Sequence, residues 1–394
     1  MAARWHVGGP AYGAGEMAMD DRDKRLLNVI QAEFPFASRP FQTLGQHLEL
    51  GEREVIGRIG ALKERRIIRQ ISAIFDTRSL GYSSSLVAMR VRPERLDAAA
   101  AVVNSHPGVS HNYQRSHAFN LWFTVAVPPG SSLGWTVDRL HEMAGAESTR
   151  LLPTLRLFKI GLQLDMEGKS GTEREESPAA GYSEARRPLA GRDGLSARDI
   201  AAIRELQIDI PLVPEPYRGM AERLGIDEEA LFETARRLRA RGYLRRMAAV
   251  LYHREAGFQA NAMGVWVVLP ERTEEVGAIM ASFRGVSHCY LRPTYPDWPY
   301  NLFTMVHGQR APDCQAVIEA IAAATGLQEY GLLFSTKEYK KVRLQYFTRE
   351  LDEWEARARA SLGSPGRAAA GPGGEASATG LAAPGPRYGT PAGS

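Results

Sequence analysis

The phrase Gly-Val-Ser-His-x-Tyr-x-Arg occurs twice in this chain of 394 residues, starting at Gly108 and again at Gly285, 177 positions later. Each copy runs within a few residues into a similar segment, Asn120-Leu121-Trp122-Phe123 in the first and Asn301-Leu302-Phe303 in the second. A repeat this long is no solenoid unit, so the chain reads as two related halves fused head to tail. The halves share a His, a Tyr and an Arg at fixed alternation. A purely structural repeat would share mainly apolar positions, so the common element is polar chemistry.

Composition narrows the classes. With 49 basic against 45 acidic side chains the formal charge is only +4, which is no strong footprint for a polyanion. Two cysteines, Cys289 and Cys314, fit a reducing cytoplasm and leave no Cys-rich metal or disulfide framework. No apolar run approaches a membrane span, and the first residues lack a hydrophobic signal core, so a cytoplasmic protein without a membrane partner is expected.

The pattern predicts seven segments. Residues 1–18, rich in Gly and Ala, read as a disordered leader. Over 19–78, Asp20-Asp21-Arg22-Asp23 caps a helix carrying Leu26, Leu27 and Ile30. Helices near Phe41–Leu48 and Glu52–Arg65 follow, and Ile67–Ile71 reads as a wing: a winged helix-turn-helix. Over 79–166, strands at 83–92, 109–115, 119–128 and about 150–164 alternate with helices at 94–105 and 132–145. That order is βαββαβ, the ferredoxin-like arrangement. Residues 167–193 are Gly-, Ser-, Pro- and charge-rich and read as a flexible linker. The plan then repeats, with a winged helix over 194–254 and a ferredoxin-like unit over 255–358, before an Ala/Gly/Pro-rich, disordered tail at 359–394. The fold class is α+β.

A winged helix followed by a βαββαβ unit, twice over, resembles the Lrp/AsnC family. The wording of the motifs is more specific. His111-Asn112-Tyr113-Gln114-Arg115-Ser116-His117-Ala118-Phe119-Asn120-Leu121-Trp122 resembles the first-subunit signature of siroheme decarboxylases. His288-Cys289-Tyr290-Leu291-Arg292, with Tyr295-Pro296-Asp297-Trp298-Pro299-Tyr300-Asn301 after it, is similar to the second-subunit signature. The resemblance implies two subunit types in one chain, pairing intramolecularly. The implied activity is removal of CO₂ from two acetate side chains of siroheme to give 12,18-didecarboxysiroheme, for haem or denitrification-haem synthesis. It leaves further association of chains open.

The residue types suit that substrate. An iron macrocycle ringed by carboxylates needs cations and an apolar slot, and Arg offers a planar bidentate fork. Strand alternation puts His111, Tyr113 and Arg115 on one face, and His288, Tyr290 and Arg292 on another. Loss of CO₂ from a pyrrole acetate leaves charge on a carbon that the macrocycle itself stabilises. No cofactor is therefore expected beyond the iron that the substrate carries. The expected catalytic groups are His111, His117, His288, Tyr113 and Tyr290, with His as the natural proton donor. Arg115, Arg292, Lys159, Lys341, Asn120, Asn301, Trp122, Trp298 and Tyr300 are the expected substrate contacts, Trp298 being the best candidate for stacking. His111 or His288 could equally be an axial ligand to the substrate iron. His117 has no second-half counterpart, which suggests that the halves do different jobs. His253 and His307 read as structural.

The rival reading is an Lrp/AsnC-type DNA-binding regulator that senses haem or an amino acid. Its recognition helices would be Glu52–Arg65 and Glu228–Arg241. Both begin with acidic residues, which phosphate repels, and the balanced charge offers little counterion release. Nucleic acid is therefore not the expected partner.

Overall fold

The computed structural model describes residues 19–160, 171–174, 194–252, 260–308 and 310–361. The predicted leader, most of the linker and tail, and Gly161, His253, Gly257 and Phe258 lie outside these residues. The first half folds as α1 (Asp21–Ala32), α2 (Pro40–Leu48), α3 (Glu52–Glu64), β1 (Ile68–Phe75), β2 (Ser83–Arg90), α4 (Leu96–Asn104), β3 (Val109–Arg115), β4 (Leu121–Val127), α5 (Leu133–Ala144), β5 (Ser148–Leu152) and β6 (Arg156–Ile160). The second half repeats it as α6 (Ala197–Leu206), α7 (Arg218–Leu224), α8 (Glu228–Ala240), β7 (Leu244–Leu251), β8 (Ala260–Trp266), α9 (Thr273–Ser282), β9 (Val286–Leu291), β10 (Leu302–Gly308), α10 (Ala311–Thr325) and β11 (Tyr330–Lys341). A helix absent from the sequence expectation, α11 (Arg349–Ala360), follows.

The chain divides into two compact units. One gathers the residues up to Ile74 with Ile208–Phe232 and Arg246–Leu251; the other gathers Phe75–Gln207, Glu233–Arg245 and the chain from Tyr252 onward. In the first unit, α1 begins where the Asp20 carboxylate accepts the Asp23 N–H at 2.7 Å. Leu26, Leu27 and Ile30 of α1 and Val55, Ile59 and Leu62 of α3 are buried, as their helical spacing requires. The wing strands β1 and β7 pair with each other in a two-stranded sheet, so each repeat completes the other's wing.

The second unit is built on a nine-stranded sheet of order β5-β2-β4-β3-β11-β8-β10-β9-β6. The end strands β5 and β6 are consecutive in the chain, separated only by Pro153-Thr154-Leu155. Where the sequence pattern suggests one strand over 150–164, Pro153 removes a ladder donor and the segment splits. β5 pairs with β2 of its own half, and β6 crosses to β9 of the other. β11 does the same without a break: Tyr330–Phe334 pair with β8, and Ser335–Lys341 pair with β3. Each half thus lends its last strand to the other.

Helices cover one face of this sheet. Val87, Met89, Leu121, Phe123 and Val125 pack against α4 and α5, where Trp354 and Ala358 of α11 join them. Ala262, Trp266, Leu302 and Val306 pack against α9 and α10. The opposite face carries a mixed cluster from both halves, with Ala88, Trp122 and Leu152 meeting Met263, Val265, Trp298, Phe303 and Leu333.

Candidate active site

The repeated phrase shapes a β-bulge. The β3/β4 register shifts between Val109 and His111, and the β9/β10 register shifts opposite Met305 and Val306. The extra residue is Ser110 in one half and Ser287 in the other. After the bulge the alternation turns Asn112 to α4, where its amide donates to Asn104 Oδ1 at 3.0 Å, and turns the Cys289 thiol to Gly277 O on α9 at 3.8 Å. His111, Tyr113 and Arg115 therefore share the face away from the helices, as do His288, Tyr290 and Arg292. Gly108 permits the close crossing: a Cβ there would sit 2.0 Å from Ala126 O, and Gly108 O accepts the Ala126 N–H at 2.9 Å.

Both histidines are held through Nδ1. Ser110 Oγ lies 3.0 Å from His111 Nδ1, and Ser287 Oγ lies 2.8 Å from His288 Nδ1. Nε2 is then the ring nitrogen turned away from the serine in each half. Ser287 Oγ also lies 2.8 Å from His307 Nε2, a contact the sequence reading missed by treating His307 as structural. Burial, with His307 and Arg292 adding to it, pulls the His288 pKa down to about 4. His117 Nδ1 accepts the Phe119 N–H at 3.0 Å, its ring stands edge-on to Trp298 at 5.2 Å, and burial lowers its pKa.

Arg115 and Arg292 are 7 % and 8 % exposed. Each donates to a main-chain carbonyl of the opposite half, Arg115 Nη1 to Leu333 O at 3.0 Å and Arg292 Nη1 to Leu152 O. Among the described residues neither Nε has a hydrogen-bond partner. Burial pulls both guanidinium pKa values to about 10, so both remain cationic near neutral pH. Each lies over a Tyr of its own strand, Tyr113 at 5.7 Å and Tyr290 at 4.8 Å. Burial also raises the Tyr290 pKa. Two desolvated cations with unspent donors are a costly arrangement, and a buried anion relieves it.

Several expected substrate contacts are otherwise engaged. The amides of Asn120 and Asn301 bond both ways to main chain, to Val91 at 3.0 and 2.8 Å and to Val268 at 2.9 and 2.7 Å. They fasten strand ends. Trp122 donates to Phe119 O at 2.6 Å inside the core. Trp298 is fully buried among Trp122, Phe119, Tyr300 and Phe303, so it is a packing residue and not an open stacking surface. Tyr300 is half-buried against it.

The two expected lysine contacts, Lys159 and Lys341, do not occupy equivalent places. Lys159 stands opposite Cys289 and donates to Phe283 O at 2.9 Å, at the end of α9. Its counterpart is Lys340, opposite Asn112, which donates to Asn104 O at 3.0 Å at the end of α4. Both lysines lie on the helix-covered face, a favourable place for a cation at a helix C-terminus. Lys341 instead stands opposite His111, on the shared face, while His288 faces Ile160 across the ladder.

Sequence reasoning also missed the latch on the second-half insertion. Asp297 accepts two bonds from Arg150, at 2.7 and 2.6 Å, and Tyr295 donates to Leu151 O at 2.6 Å. A cavity of about 490 Å³ lies elsewhere, between Pro129, Arg204, Tyr243 and Phe347, and holds none of the expected site residues. In the first unit the would-be reading helix has two of its cations paired with carboxylates: Arg58 bonds Asp20, Asp23 and Glu54, and Lys63 bonds Asp209; its Glu52 in turn accepts from Arg39.

Comparison with known proteins follows the same division. An AsnC-like ligand binding domain matches residues 79–159 and 255–340, and a siroheme decarboxylase NirDL-like HTH domain matches 23–69 and 199–245. A siroheme decarboxylase from Hydrogenobacter thermophilus is 41 % identical over 337 residues, covering 85 % of this chain and 98 % of that one. The chain belongs to the siroheme decarboxylase family. A siroheme decarboxylase beta subunit from Methanosarcina barkeri is 48 % identical over 143 residues, 36 % of this chain and 94 % of its own length. That relative aligns with little more than a third of this chain, which carries both domain types twice. The crystal structure of the siroheme decarboxylase NirDL superposes with a TM-score of 0.70 at 36 % identity, over 87 % of this chain and 100 % of that one. A second structure of NirDL, in co-complex with an iron-uroporphyrin III analogue, gives a TM-score of 0.69. The tandem winged-helix and ferredoxin-like fold is thus the fold of this family.

Proposed function

We propose that this protein is a carboxy-lyase that removes CO₂ from two acetate side chains of siroheme, giving 12,18-didecarboxysiroheme, without a cofactor of its own. The observation that carries the reading is the pair of buried guanidinium groups, Arg115 and Arg292, each with an unpartnered Nε beside a His and a Tyr. Substrate carboxylates are the anions that would satisfy them. Lys341, opposite His111, adds a cation to the same face. In the reaction the bond between the methylene and carboxyl carbons breaks, CO₂ leaves, and the electron pair stays on the methylene carbon beside the pyrrole. A proton then converts that carbon to a methyl group. His111 and His117 present Nε2 for proton delivery, while Tyr113 and Tyr290 hold the neighbouring polar groups. A carboxylate held on a poorly hydrated face loses its charge more readily as CO₂, which favours the step.

The reading is tested by anaerobic incubation of the purified protein with siroheme, followed by mass spectrometry of the tetrapyrrole. Loss of one and then two CO₂ masses, with nothing else added, is the expected result. Binding without mass change would refute it and favour a haem sensor, for which operator DNA binding would be the next assay.

A further inference from the structure

Ser287 stands between two imidazoles. Its Oγ lies 2.8 Å from His288 Nδ1, 2.8 Å from His307 Nε2 and 3.3 Å from Met305 O. A hydroxyl has one proton, so it cannot donate to both rings, and at least one ring nitrogen must donate to Oγ. Three arrangements satisfy the group. If the hydroxyl donates to His307 or to Met305 O, His288 carries its proton on Nδ1 and leaves Nε2 as a lone pair. If it donates to His288, the proton of that ring moves to Nε2. Nδ1 is turned to Ser287, and Arg292 lies on the same face of this strand as the ring; a positive charge there favours a lone pair over an N–H dipole at Nε2, and so the first two arrangements.

We propose that His307 is a positioning residue: acting through Ser287, it fixes His288 as the Nδ1–H tautomer, so that His288 Nε2 donates its lone pair to the iron of the substrate. The inference rests on siroheme being that substrate. A ligand histidine whose other ring nitrogen is anchored by a hydrogen bond is oriented and made more basic.

The first half lacks the anchor. His307 N–H bonds Gly285 O at 3.1 Å as Ala126 N–H bonds Gly108 O, so Ala126 occupies the place of His307. Ser110 is paired with one ring only among the described residues, and Lys341 stands opposite His111. The Ser110 hydroxyl can donate or accept, so Ser110 by itself does not fix the His111 tautomer, which suits a group that delivers a proton. The bulge is common to both halves, and a single Ala/His difference divides iron ligation from proton transfer.

The test is anaerobic titration of the full-length protein with siroheme, read by absorption and electron paramagnetic resonance. The expected wild-type spectrum is that of imidazole-ligated iron, abolished in His288→Ala. His307→Leu should weaken siroheme binding about tenfold and lose the imidazole signature in part. His307→Gln, whose amide oxygen can accept the Ser287 hydroxyl in the same place, should restore both, and His307→Leu should add nothing in the His288→Ala background. Wild-type spectra and affinity in His307→Leu, or an unchanged spectrum in His288→Ala, would overturn the proposal. Should His307→Leu not fold, Ser287→Ala is expected to show the same loss, and an unchanged spectrum there overturns it. CO₂ release is scored separately. Ligation through His288 without CO₂ release refutes the decarboxylase reading alone, and CO₂ release without ligation refutes this assignment alone.

Discussion

Arg115 of the first half donates through Nη1 to the carbonyl of Leu333 in the second, at 3.0 Å. Arg292 returns the contact to Leu152. Each candidate substrate-binding cation is therefore positioned by the strand that the other half contributes. Fusion of two subunit types in one chain ties this exchange together at a fixed stoichiometry.

A buried cation without a carboxylate is a stability cost that substrate binding offsets. Arg115→Met removes the charge at similar volume. The expected result is a thermal midpoint unchanged or slightly raised, with siroheme affinity reduced by roughly 10- to 100-fold, about 1.4–2.8 kcal/mol. Calorimetric unfolding and a siroheme titration on the same variant check both signs. A large fall in stability with unchanged affinity would make Arg115 a structural residue.

Acid should destabilise the first half through His106. It is 2 % exposed, packs edge-on against Trp354 at 4.4 Å, and its Nδ1 accepts the Gly108 N–H at 3.0 Å. Burial, with Lys340 adding to it, pulls its pKa down to about 4 from 6.5. The unfolded chain binds the proton first, so the contribution is complete above pH 6.5 and is lost progressively as pH falls toward 4. Between pH 6.5 and 5 the loss is about 2 kcal/mol. Urea unfolding at several pH values should show His106→Gln flattening this limb by about one proton, and an unaltered slope would contradict the assignment.

Two glycines of the repeated phrase are not equally replaceable. At Gly108 an added Cβ meets main chain, Ala126 O at 2.0 Å, which cannot move without opening the β3/β4 ladder. At Gly285 the nearest atoms are Val317 Cγ2 at 2.8 Å and Gly171 O at 2.9 Å. Gly108→Ala is expected to cost about 3 kcal/mol or more and Gly285→Ala less, since a valine methyl can turn aside. Urea midpoints rank them, and the reverse order would be the contrary outcome.

The sequence by itself determined the architecture and the candidate polar face. The helical spacing of Leu26, Leu27 and Ile30 and the alternation of His111, Tyr113 and Arg115 are local periodicities, and local geometry dictates which side they present. The duplication of Ser-His-x-Tyr-x-Arg marked the candidate polar groups. Tertiary structure decided everything that depends on which strands become neighbours. Asn120 and Asn301 turned out to be fasteners of Val91 and Val268, and Trp298 a buried core residue, because their partners are distant in sequence. The ladder between β11 and β3 makes Lys340, and not the expected contact Lys341, the counterpart of Lys159. A bulge and an exchanged strand shift register by single residues, and one residue reverses the face on which a side chain stands. The pairing of His288 with His307 through Ser287 has the same origin: it spans two strands that only the folded sheet brings side by side.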